Sequence, residues 1–229
     1  RPDAAIKADN AECYISSGHF GEVAGAAQQQ INGDVQWQIF NADIDNFFGG
    51  GINFNKPVTG NITIDITNSH VGTFCGGPKF GDMAANKTVT TNATGCTFGT
   101  YFGAGYGGIS YNRVRTRDKS GKDVDLSSWE SDYTANKGKY FSANNGVATD
   151  FDYEFFVWST GVVGARFYVK YSSLSMAKTN DVSSTLKNCI INRNFYGGGN
   201  LGKVDGTATS ILEGCTVEGN VFGGGYGSN

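Results

Sequence analysis

Charged side chains are scarce in this chain. Asp, Glu, Lys and Arg make up 17% of its 229 residues, and 18 basic against 21 acidic groups leave a net charge of −3. That balance offers nothing to a polyanion, which excludes a DNA- or RNA-binding role. No apolar run approaches the roughly 18 residues that span a bilayer, so no transmembrane segment is expected. The opening stretch RPDAAIKADN has no basic region followed by an apolar one, so no signal peptide is read there. Five cysteines are an odd number in a chain too long to need stapling, which argues against a disulfide framework. Histidine is nearly missing. Neither His19 nor His70 has a cysteine or carboxylate at metal-ligand spacing along the chain, and no C-x-x-C occurs, so neither metal nor cofactor is expected. No glycine run is followed by Lys-Ser/Thr, and there is no G-x-S-x-G elbow.

Glycine is what the chain has in excess, 34 of 229 residues. Five segments look alike: DNFFGGGIN, GTFCGGPKF, TYFGAGYGG, NFYGGGNLG and NVFGGGYGS. With the residue before the first glycine as anchor, they align on Phe48, Cys75, Phe102, Tyr196 and Phe222, at gaps of 27, 27, 94 and 26. A weaker copy, SGHFGEVAG, places Phe20 at a gap of 28. Seven residues before the anchor stand Cys13, Asn41, Asn68, Cys189 and Cys215, with Cys96 one place out of register. Two before it stand Asn46, Thr73, Thr100, Asn194 and Asn220, with Gly18 as the exception. These columns make a repeat of 26–28 residues.

Between the glycine runs the sequence alternates with a period of two. Ile62, Ile64 and Ile66 face one way and Thr63, Asp65 and Thr67 the other. Three short strands and three corners use up one repeat at about 3.3 Å per residue. The fold expected is therefore all-β, a right-handed parallel β-helix of about six coils, each pairing only with its neighbours. The cysteine column would stack inward as small hydrophobes. Asparagines would pair in ladders along the axis. The glycine after each anchor would occupy a corner of positive φ, and the anchor aromatics would form a stacked interior row.

The runs NFYGGGNLGKVDG and GCTVEGNVFGGGYG resemble the glycine-rich repeats of secreted or surface-exposed, adhesin-like β-helix proteins of gut Bacteroides-type bacteria. The resemblance covers roughly residues 41–108 and 181–229, and implies export to the cell surface and a structural or adhesive role. No catalytic motif comes with it.

The gap of 94 marks an excursion from the repeat over about residues 109–178 of a single domain spanning 1–229. It holds 10 of the 18 basic residues and 13 of the 30 aromatics, a concentration that sets it apart from the coils. FDYEFFVW and ARFYVKYSSL read as a β-hairpin in which Asp152 and Glu154 face Arg166 and Lys170. Arg113, Arg115 and Arg117 alternate along a preceding strand. Trp129, Tyr133 and Tyr140, set among Asp, Ser, Asn and Lys, have the composition of a carbohydrate platform.

The function expected is a non-enzymatic secreted or cell-surface scaffold that meets a polysaccharide or host-matrix ligand through Trp129, Tyr133 and Tyr140. A polysaccharide lyase or glycoside hydrolase is the alternative, with Asp43, Asp45 and Asp65 as its only acids of note. A purely structural spacer is the second. Ice binding would need a long threonine ladder, and Thr63, Thr67, Thr88, Thr90 and Thr91 do not read as one column. The final run, VFGGGYGSN, stops within a repeat, which suggests continuation in a longer chain or end-to-end association.

Overall fold

A computed structural model describes residues 9–27, 30–53, 56–115, 151–158, 166–175 and 177–227. Every regular element among them is a strand. The chain forms two compact units, Arg1–Gly108 with Ser175–Asn229, and Ile109–Leu174.

The first unit is a parallel β-solenoid. One wall is a six-stranded sheet of β1 (Ala11–Ile15), β3 (Val35–Phe40), β5 (Ile62–Thr67), β7 (Val89–Thr94), β12 (Val182–Lys187) and β15 (Ala208–Glu213), in that order. A second wall stacks β2 (Gly18–Ala26), β4 (Ala42–Gly51), β6 (His70–Cys75), β8 (Thr97–Phe102), β13 (Ile190–Ile191) and β16 (Thr216–Val217). It continues in β14 (Phe195–Tyr196) on β8 and β17 (Val221–Phe222) on β14. The third strand expected in each coil shrinks to single parallel bridges, Ile31 to Val58 to Met83 and Thr179 to Val204.

Alternation in sequence becomes alternation in burial. On β3, Val35, Trp37 and Ile39 are buried while Gln36, Gln38 and Phe40 point out. Ile62, Ile64 and Ile66 repeat the pattern on β5, as do Val182, Ser184 and Leu186 on β12. From the other wall, Phe47, Phe74, Tyr101 and Phe195 stack as one interior ladder, with centroid spacings of 5.1, 4.8 and 4.9 Å. The Tyr101 hydroxyl donates to Ser184 Oγ at 2.8 Å across the interior, so the one polar tip in that ladder is satisfied.

The solenoid closes over the excursion without a missing coil. β12 pairs directly with β7, and β13 and β14 pair with β8. The second unit is a separate three-stranded sheet in the order β10 (Phe151–Trp158), β11 (Arg166–Ser175), β9 (Gly108–Arg115). β10 and β11 form the expected antiparallel pair, whose register puts Glu154 opposite Lys170 but Asp152 opposite Ser172 and Trp158 opposite Arg166. Arg117 lies outside the described residues.

Register corrects the columns read from sequence. The first coil aligns Ala24, not Phe20, with Phe48, and Phe20 pairs with Ile44. Cys13 pairs with Trp37 and leaves the cysteine column. The segment joining β13 to β14 is one residue longer than its counterpart in β8, which shifts the later cysteines by one. The true columns are Ala42, Ser69, Cys96, Cys189 and Cys215, preceded by a left-handed corner of Asn41, Asn68, Gly95, Asn188 and Gly214, with φ of 51°, 49°, 64°, 51° and 63°. Asparagine tolerates that corner because its short polar side chain does.

The glycine after the anchor answers a different need. Gly49, Gly76, Gly103 and Gly197 do not have positive φ. A Cβ there would lie 2.1, 2.4, 2.4 and 2.5 Å from the carbonyl oxygen of the next coil's glycine, so close backbone approach forbids a side chain. The anchor row stacks, Phe102 on Tyr196 and Tyr196 on Phe222 at 4.9 Å each. It is a second cluster apart from the main core, in which Phe48, Cys75, Phe102 and Tyr196 pack against Ala24, Ile52 and Tyr106.

Side-chain ladders run along the axis, mostly to backbone rather than between amides. Asn10 Oδ1 accepts from the Asp34 amide, Asp34 Oδ1 from that of Asn61, and Asn61 Oδ1 from that of Thr88. Each such side-chain oxygen accepts from an N–H that a corner would otherwise leave open.

Candidate functional site

Trp129, Tyr133 and Tyr140 lie outside the described residues, so the surfaces available are the outward faces of the solenoid. The acids named for the cutting alternative separate. Asp43 and Asp45 stand on β4, in the second wall, while Asp65 stands on β5 in the first and accepts from Asn92 Nδ2 at 2.8 Å.

Two histidines join Asp43 instead. β2, β4 and β6 place His19, Asp43 and His70 in one outward column. His19 Nδ1 donates to Asp43 Oδ2 at 2.8 Å, His70 Nδ1 donates to Asp43 Oδ1 at 2.7 Å, and His19 Nε2 lies 3.9 Å from Asp45 Oδ2. The hydrogen bond to Asp43, then the charges of Asp45 and Asp43, hold the His19 ring above its ordinary value. Hydrogen bonds from His70 and His19 hold the Asp43 carboxyl below its own. Linear spacing hides this bracket, since the partners are 24 and 27 residues apart. Counted from the correct anchors, Ala24, Phe48 and Cys75, all three stand at the same offset. Both oxygens of Asp43 are occupied by ring N–H groups, a poor arrangement for a nucleophile or base. Among the described residues no group of three or more His, Cys, Asp or Glu is placed to hold a metal ion.

The cysteines are free thiols. Burial pushes Cys75 well above the ordinary thiol value, and the contact with Cys189, followed by burial, does the same for Cys96. Cys75 and Cys96 are therefore packing groups rather than nucleophiles.

The outward face of the first wall is the larger candidate. Register lines up Glu12, Gln36, Thr63, Thr90, Ser183 and Thr209 in one column, and Tyr14, Gln38, Asp65, Asn92, Thr185 and Ile211 in the next. Thr63 and Thr90 thus do share a column, and Thr67 and Thr94 share another, whereas Thr91 is buried. Gln, Asp, Asn and Ser interrupt the threonines, so the face is mixed amide, hydroxyl and carboxylate. Tyr14 and Phe40, 67% and 37% exposed, lean together at one end with ring centroids 5.8 Å apart. Towards the other end an open concavity of about 340 Å³ is lined by Thr88, Val89, Thr90, Asp181, Val182, Ser183, Thr207 and Thr209. Chemically the wall offers apolar ring faces followed by regular rows of donors and acceptors. Compared with known proteins, the chain matches no family model, no curated protein and no solved structure.

Proposed function

We propose that this chain is the non-enzymatic scaffold of a secreted or cell-surface, adhesin-like protein that holds an extended polysaccharide against the first wall. The observation that carries the reading is the exposed Tyr14–Phe40 pair standing beside rows of outward polar side chains. A sugar ring offers an apolar CH face to an aromatic ring and hydroxyls to amides and carboxylates. A polymer laid across the strands meets a donor or acceptor about every 4.8 Å, the spacing of strands in a sheet. The excursion contributes Trp129, Tyr133 and Tyr140 as a second aromatic set of the same chemistry. The cutting alternative is weakened because Asp65 stands on a different wall from Asp43 and Asp45, and Asp43 is bracketed by histidines.

Isothermal titration with a retained polysaccharide tests the reading. Tyr14→Ala with Phe40→Ala should weaken binding tenfold or more without changing the far-ultraviolet circular dichroism. Unchanged binding in that variant, with loss on truncating Trp129, Tyr133 and Tyr140, would move the site to the excursion.

A further inference from the structure

We propose that the polysaccharide held on the first wall is a non-acidic one, and that the wall's own charge turns polyuronates and sulfated glycans away. The inference rests on the polysaccharide reading and adds to it the class of polymer.

The outward positions of that wall offer no free cation. The columns led by Glu12 and Tyr14 contain two carboxylates, Glu12 and Asp65, and no basic residue. A third outward column runs Phe40, Thr67, Thr94, Lys187 and Glu213. Lys187 is its one cation, and its Nζ lies 3.2 Å from Glu213 Oε2, so that charge is already answered. The column where the chain enters each strand, Asn10, Asp34, Asn61, Thr88, Asp181 and Thr207, adds two acids more. One place beyond it, Asp9 and Lys87 contribute one charge of each sign.

The acids of the wall keep their charge. Asp34 Oδ1 accepts from the Asn61 amide, Asp65 Oδ1 from Asn92 Nδ2 and Asp181 Oδ1 from the Thr207 amide, each at 2.8 Å. All three donors are neutral. An acidic polymer laid along this wall would therefore set its carboxylates or sulfates against fixed anions, with no unpaired cation in these columns to receive them.

A polymer that bears only hydroxyls meets the opposite case. Its O–H groups can donate to Asp65 and Asp181, where a charged acceptor strengthens the bond. Asp181 also lines the concavity that Thr90, Ser183 and Thr209 share, so one such acceptor stands in the hollow itself. Gln36 and Gln38 supply neutral donors and acceptors towards the aromatic end.

Competition tests the proposal. The best-retained neutral polysaccharide is bound to the wild-type chain and displaced either by itself or by the same polymer oxidised at C6 to the polyuronate. At low salt the oxidised competitor should need at least tenfold more for half displacement. That gap should shrink towards about 1 M salt, where charges are screened beyond about 3 Å. Asp65→Asn with Asp181→Asn keeps the oxygens that accept from Asn92 and Thr207 and removes two charges, so it should narrow the gap at low salt. Asp45→Asn with Glu218→Gln removes two charges away from the first wall and should leave it unchanged. Equal displacement by the oxidised polymer would overturn the proposal while leaving the polysaccharide reading in place. A gap indifferent to salt, or one narrowed as much by the second pair of substitutions as by the first, would overturn it too. Failure to retain any polymer would remove the polysaccharide reading and this inference with it.

Discussion

A Cβ on Gly197 would lie 2.5 Å from the carbonyl oxygen of Gly223, closer than real side chains approach a backbone oxygen. The glycine runs are therefore spacing devices for stacked coils. Their contribution depends on what stands above them, not on their own dihedral angles.

That relationship predicts a graded series. Gly103→Ala and Gly197→Ala must push two coils apart and should destabilise by about 1–3 kcal/mol, as overpacked sites do. Gly223→Ala, whose added Cβ meets none of the described residues, should fall within about 0.5 kcal/mol of wild type. Chemical denaturation midpoints measure the series. Equal losses at Gly197 and Gly223 would show that conformation rather than close approach selects glycine.

The interior hydrogen bond from Tyr101 to Ser184 ties the two walls at mid-solenoid. Tyr101→Phe keeps the ring stack between Phe74 and Phe195 but leaves Ser184 Oγ without that donor. It should cost about 1–3 kcal/mol, the penalty of an unsatisfied buried group. Adding Ser184→Ala to that variant should recover part of the loss. A neutral Tyr101→Phe variant would show that the hydroxyls do not need each other.

The histidine bracket predicts a pH response. A histidine whose value is raised on folding contributes fully below its ordinary 6.5 and loses that contribution as pH climbs through the raised value. An aspartate whose value is lowered contributes above its ordinary 3.8 and loses it as pH falls through the lowered value. The His19–Asp43 interaction is thus complete between pH 3.8 and 6.5. Because these side chains are exposed, global stability is a weak readout and ring titration is the better one. Nuclear magnetic resonance should find the His19 midpoint above 6.5 in wild type and lower in Asp43→Asn. An unchanged midpoint would contradict the bracket.

The repeat was legible because five glycine runs and the alternation of Ile62, Ile64 and Ile66 report the same stacked geometry. Coil alignment was harder at the ends. Phe20–Gly21 imitates an anchor, while the residues that hold the place are Ala24–Gly25. A shift of four keeps every side chain on its own face, so alternation alone could not expose it. The same shift concealed the column of His19, Asp43 and His70. The extra residue between β13 and β14 likewise moved Cys189 and Cys215 against Asn41 and Asn68. Backbone crowding at the glycines had no sequence signal apart from the glycines themselves, which a positive-φ corner would equally have required. Exposure of Tyr14 beside Phe40 depends on strand register between coils, and no local pattern encodes it.

Retention on a panel of plant, host and bacterial polysaccharides, with the supernatant assayed for new reducing and unsaturated ends, tests the central claim most directly. A scaffold that holds a polymer along its first wall predicts retention of at least one polysaccharide, lost in the Tyr14→Ala, Phe40→Ala variant, and no new chain ends. Release of chain ends would contradict it, as would failure to retain any polymer.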